Sequence, residues 1–199
     1  MMRKYGLFLL IFSLAGLLAP LTCAAAAPLK IVILPVMNET RTHDADVEKV
    51  ISEALHAKFR KPLNDIVPVY QVIPADQISA ALPVAREGSS LKFKPEIMRE
   101  MADKLHADVV IGAVITDLRE RTLVTLAGDY LQESHLTIRL VVYNADTRAY
   151  RAQRRTENYF GEQMSSGDPD YLAQSIMDRM LRKLVVSPET FFNEQKTVN

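Results

Sequence analysis

Three groups of side chains in this 199-residue chain carry residue types and spacings that could do chemistry. In "THDAD", His43, Asp44 and Asp46 are metal-ligand types. They stand just ahead of an apolar-periodic segment, where acidic residues complement a helix dipole and Asp44 can cap free amides. Metal sites draw ligands from more than one element, so capping is the better reading. In "SSGDPDY", Ser165, Ser166, Asp168 and Asp170 come together as in a calcium loop or half a catalytic carboxylate pair. The spacing of a twelve-residue calcium loop is missing, and Asp168 ahead of Pro169 is expected to cap a helix. The third group is Arg148, Arg151, Arg154 and Arg155. On a strand, Arg151 and Arg155 share one face and Arg154 takes the other. Such a basic hairpin either grips an acidic surface or anionic polymer, or guards an exposed sheet edge with charge. Asp117, Arg119 and Arg121 project from one face of the strand before it.

Other chemistries are excluded more sharply. After "KIVILPV" no glycine occurs before Gly88, so the first strand does not open a phosphate cradle or a dinucleotide fold. There is no G-x-S-x-G elbow, and His56, His106 and His135 stand alone in sequence. No catalytic residue, metal ligand or cofactor is assigned.

These side chains must be positioned by elements that follow an export signal. "MMRK", the apolar run "GLFLLIFSLAGLLAPL" and the small residues "TCAAAAP" have the order of a secretory signal peptide over residues 1–26. A lipid anchor at Cys23 is the alternative, although Pro20 and Thr22 occupy the positions where a lipobox has leucine and a small residue. Cleavage after Ala26 removes the chain's one cysteine, and with it thiol chemistry. It also lowers the basic residues from 24 to 22 against 24 acidic ones, a balance with no general attraction for nucleic acid. Membrane association is expected only if Cys23 is lipidated or the signal is retained.

Residues 27–186 then read as one domain, with 187–199 as a tail. "LKIVILPV" is a buried strand, and "ADVEKVISEALHAKFRK" an amphipathic helix stopped by Pro62. "VPVYQVIP" is a short strand near an edge because of Pro68, and "ADQISAALPV" a short helix. "AREGSSLKFK" is a loop, and "PEIMREMADKLH" a helix with Pro95 in its first turn. Three strands joined at "AGD" and "NADT" form an antiparallel meander, and "DYLAQSIMDRMLRKLV" is the final helix. The expected class is α/β (α+β): a mixed sheet with a βαβ start and an antiparallel meander, helices packed on it.

"IVILPVMNET" and "KLHADVVIGAVI" resemble two signatures of a group of exported envelope domains. That group includes the TolB amino-terminal domain, the curli-secretion channel protein CsgG and the penicillin-binding-protein activator LpoB. Leu34, Pro35, Asn38, Ala107, Asp108 and Gly112 carry the likeness, and element order agrees over about residues 30–184. The resemblance implies an exported, non-catalytic domain that binds envelope proteins or assembles with copies of itself. Expected contact residues are Asn38, Thr40 and Arg41 with the four hairpin arginines, and the loop 85–94 is a further surface. A secreted hydrolytic or metal-assisted enzyme using Asp168, Asp170 or His43, and a self-assembling secretion component, are the alternatives. Asp117, Arg119, Glu120 and Arg121 would be costly facing lipid, which argues against a membrane-inserted hairpin.

Overall fold

A computed structural model describes residues 27–60, 69–82 and 93–184. The expected signal segment with Cys23, both Pro62 and Pro68, most of the expected 85–94 loop and the expected 187–199 tail lie outside those residues. The β-branched run "LKIVI" forms β1 (Leu29–Ile33), which lies between two parallel neighbours. Pro35 has no N–H to donate and ends the strand. The chain then rejoins the same neighbour as β2 (Met37–Asn38), a break and resumption that the apolar pattern did not indicate.

Helix α1 (Ala45–Phe59) buries Val47, Ile51, Leu55 and Phe59, the stripe its period requires. Asp44 caps it as expected, its Oδ1 accepting from the amides of Asp46 and Val47, both at 3.1 Å. β3 (Tyr70–Val72) is the edge strand beside β1, and α2 (Ala75–Ala81) follows. Helix α3 (Pro95–Leu105) opens on proline and ends at His106, which adopts the left-handed conformation at φ 48°. The long strands β4 (Val109–Val124), β5 (Tyr130–Asn144) and β6 (Ala149–Glu162) form the meander, with Gly128 at φ 91° in the first turn. Helix α4 (Pro169–Lys183) completes the described chain. The six-stranded sheet runs β3-β1-β4-β5-β6, with β2 paired to β4. This is the mixed sheet expected, parallel on one side and antiparallel on the other.

The sheet has a helical layer on each face, but the layers differ in extent. One face packs Ile31, Ile111, Ile115, Leu136 and Ile138 against α1 and α4. The other packs Val32, Val110, Val114, Val141 and Tyr143 against α2 and α3. Phe93 belongs to this second core at 3 % exposure, although it lies in the segment expected to be loop. It sits on Gly112, where a Cβ would lie 2.5 Å from its ring, and Tyr150 ties it down by donating to its carbonyl at 3.0 Å. One expectation fails. Asp168 stands at the N-cap of α4 but its side chain caps no amide; its Oδ1 accepts from Gln132 Nε2 at 3.3 Å, joining the helix start to β5.

Candidate functional site

The helices of the second layer cover only the upper part of their face. Residues directly opposite on antiparallel strands share a face, so the pairing register defines what is left open. Val114, Arg139 and Arg154 form one row across β4, β5 and β6, then Asp117, Thr137 and Thr156. Arg119, His135 and Asn158 follow, then Arg121, Glu133 and Phe160. A β-bulge between Ile115 and Asp117 brings Asp117 to this face.

Most of these charges are matched. Arg119 Nη2 lies 2.5 Å from Asp117 Oδ2, and Arg121 Nη2 lies 2.5 Å from Glu133 Oε2. The hydrogen bond from Arg119 holds the Asp117 carboxyl below the ordinary carboxylate range, against some opposition from burial and with help from the charges of Arg119, His135 and Arg154. Exposed pairs of this kind are screened by solvent and contribute little, so the fold does not depend on them. A depression of about 190 Å³, lined in part by Arg119, Arg121, Glu133 and His135, lies on this face. Small-molecule sites usually span about 300–1,000 Å³, which makes this a surface and not a ligand pocket.

His135 has a catalytic look that geometry removes. Its Nδ1 meets Asn158 Oδ1, and its Nε2 lies 3.3 Å from both Thr137 Oγ1 and Asp117 Oδ2. Nucleophile, base and orienting amide stand in that order. Thr137, however, is 1 % exposed, and its hydroxyl also meets that of Thr156 at 2.9 Å. A hydroxyl so buried and already paired fits a structural network. Of the catalytic candidates read from sequence, exposed His43 has Nδ1 3.0 Å from Glu48 Oε1, Asp168 accepts from Gln132, and exposed Asp170 accepts the Tyr171 amide at 2.7 Å; the three do not converge.

The residues singled out from sequence fall in several places. Asn38 is turned into its own loop: Nδ2 donates to the Thr42 carbonyl at 2.9 Å and to Glu48 Oε1 at 3.2 Å, and Oδ1 accepts from the Thr40 amide at 2.9 Å. The Thr40 hydroxyl lies 2.6 Å from the same oxygen, and Arg41 is exposed on the loop. Arg148 occupies the β5–β6 turn at φ 53°, beside Glu96, Arg99 and Tyr143. Arg151 and Arg155 project to the face that carries α4, opposite Val142 and Ile138. There Glu157 lies 3.7 Å from Arg155 and 2.7 Å from Arg179. Of the four hairpin arginines only Arg154 joins the open face. Sequence reading did not select Glu39, His135, Arg139 or Asn158; their polar character at alternate positions of strands was the available signal.

No family model matches the chain, and no curated protein does. Solved structures do. A lipoprotein from Neisseria meningitidis is 13 % identical, covering 78 % of this chain and 99 % of that one, with a TM-score of 0.44. The PelC dodecamer from Paraburkholderia phytofirmans is 16 % identical over 78 % of this chain and 86 % of that one, with a TM-score of 0.41. The LpoB C-terminal domain from Escherichia coli is 13 % identical over 70 % and 87 %, with a TM-score of 0.39. These are likenesses of fold alone.

Proposed function

We propose that this protein is an exported, non-catalytic adaptor of the bacterial cell envelope that docks a protein partner on the open face of β4–β6. One observation carries the reading: three long strands present a polar, charge-bearing face that no helix covers among the described residues. A face that contributes little to stability yet carries a dense set of directional donors and acceptors suits recognition, which charged groups sharpen through complementarity. The export signal supports the compartment, and the likeness to LpoB and to a lipoprotein supports an envelope role. The expected export signal supports a partner outside the cytoplasm, whether or not Cys23 carries a lipid.

The test is crosslinking in cells of a tagged full-length protein, with quantitative mass spectrometry. Specific enrichment of envelope proteins is expected, and neutralising the exposed charges with Arg119→Gln and Arg121→Gln should weaken it while leaving the melting temperature nearly unchanged. Recovery of the bait alone would overturn the reading.

A further inference from the structure

One row of the open face differs electrostatically from the others. Arg139 and Arg154 are directly opposed in the register of β5 and β6. Like charges at such positions destabilise a sheet, and the rest of the face avoids them by setting acids beside bases or threonine opposite threonine. In the arginine row the compensation is incomplete. Among the described residues Arg139 Nη2 reaches only Glu39, at 3.7 Å, and its buried Nε has no hydrogen-bond partner. Arg154 is exposed and enters no ion pair among the described residues; Asp117 feels its charge but is already held by Arg119. Two guanidinium groups therefore face one loosely held carboxylate, an excess of a single positive charge. A monoanionic carboxylate matches that excess, and guanidinium forks bind carboxylates with paired, charge-assisted hydrogen bonds.

We infer that Arg139 and Arg154 anchor an acidic, extended segment of the protein partner through one of its carboxylates. The inference rests on the adaptor reading and names the chemistry of its partner. An extended segment fits because β6 is the outermost strand, and no described residue pairs with its outer edge. Along that strand Thr156, Asn158 and Phe160 continue the face from Arg154, offering a track of hydroxyl, amide and aromatic contacts.

The probe is a hexaglutamate peptide titrated into the full-length mature protein, followed by nuclear magnetic resonance of arginine Nε–H groups, with inorganic phosphate and hexalysine as comparisons. Hexaglutamate should shift the Arg139 and Arg154 signals, and Arg154→Gln should weaken binding about tenfold or more. Arg151→Gln, on the opposite face of the same strand, should leave it unchanged. Arg154 is exposed, so its variant should fold, which a melting curve checks; Arg139→Gln is the secondary variant. Absence of binding, binding indifferent to Arg154→Gln, or equal competition by phosphate would overturn the inference, the last revealing a simple anion site. Envelope capture that survives Arg154→Gln but is lost with Arg119→Gln and Arg121→Gln would sink this anchor alone and leave the adaptor reading standing.

Discussion

Asn38 shows how one side chain can organise a surface without belonging to it. Its amide uses both donors and its carbonyl accepts twice, tying the loop after β2 to itself and to Glu48 in the first turn of α1. Asn38→Ala leaves the Thr40 amide without this acceptor and removes the bonds to Thr42 and Glu48, and a lost part-buried hydrogen bond costs about 0.5–1.5 kcal/mol. We expect a loss of about 1–3 kcal/mol in urea unfolding followed by circular dichroism, summed over these bonds. An unchanged midpoint would mean that the loop holds itself by other contacts. Gly112 makes the complementary point. A methyl group there would collide with the Phe93 ring at 2.5 Å, and Phe93 is held from behind by Tyr150. Gly112→Ala should destabilise by about 1–3 kcal/mol, the usual cost of overpacking. Combining it with Phe93→Ala should recover part of that loss in a double-mutant cycle; strict additivity would refute the contact.

At the scale of elements, the β4–β5 hairpin couples the open face to pH. Asp117 has a depressed carboxyl pKa in the folded protein, chiefly through Arg119. A group lowered on folding contributes stability above its unfolded pKa, and that contribution fades as pH falls through the folded value. Stability should therefore drop on acidification below the ordinary carboxylate range, and Asp117→Asn should flatten that part of the profile. The effect is small because Arg119 is largely exposed, with 75 % of its side chain accessible, and solvent screens the pair. Coincident acid profiles for the two proteins would show that the pair contributes nothing measurable. The helices follow a different logic. α1, α3 and α4 were legible because their apolar residues recur at helical spacing, and capping by Asp44 followed from local chemistry alone. Asp168 was misassigned because the competing donor, Gln132, is distant in sequence and reaches it only when β5 packs beside α4.

At the scale of the molecule, the two faces of the meander should respond differently to substitution. Leu136 is fully buried on the side facing α1 and α4, so Leu136→Ala should cost about 2–5 kcal/mol. Arg121, across the strand plane, should tolerate alanine within about 0.5 kcal/mol while partner capture falls. Equal losses of stability would mean that the open face is a structural layer. The contrast follows from where burial, the dominant stabilising term, is concentrated.

The residues that carry the family resemblance prove to be structural. Leu34 is core, Pro35 breaks the first strand, and Asn38 binds its loop. Asp108 Oδ2 accepts the Lys30 amide at 2.7 Å at the start of β1, and Gly112 makes room for Phe93. Sequence by itself determined the element order and the mixed sheet, because both rest on local periodicity, composition or spacing. Tertiary structure alone decided the site. Strict alternation along β4 would send Asp117 to the face opposite Val114; the bulge after Ile115 reverses that phase and brings Asp117, Arg119 and Arg121 to the open side. The pairing of Arg139 with Arg154 likewise depends on register across a turn, which the free energy of the whole packed sheet selects and no single strand encodes.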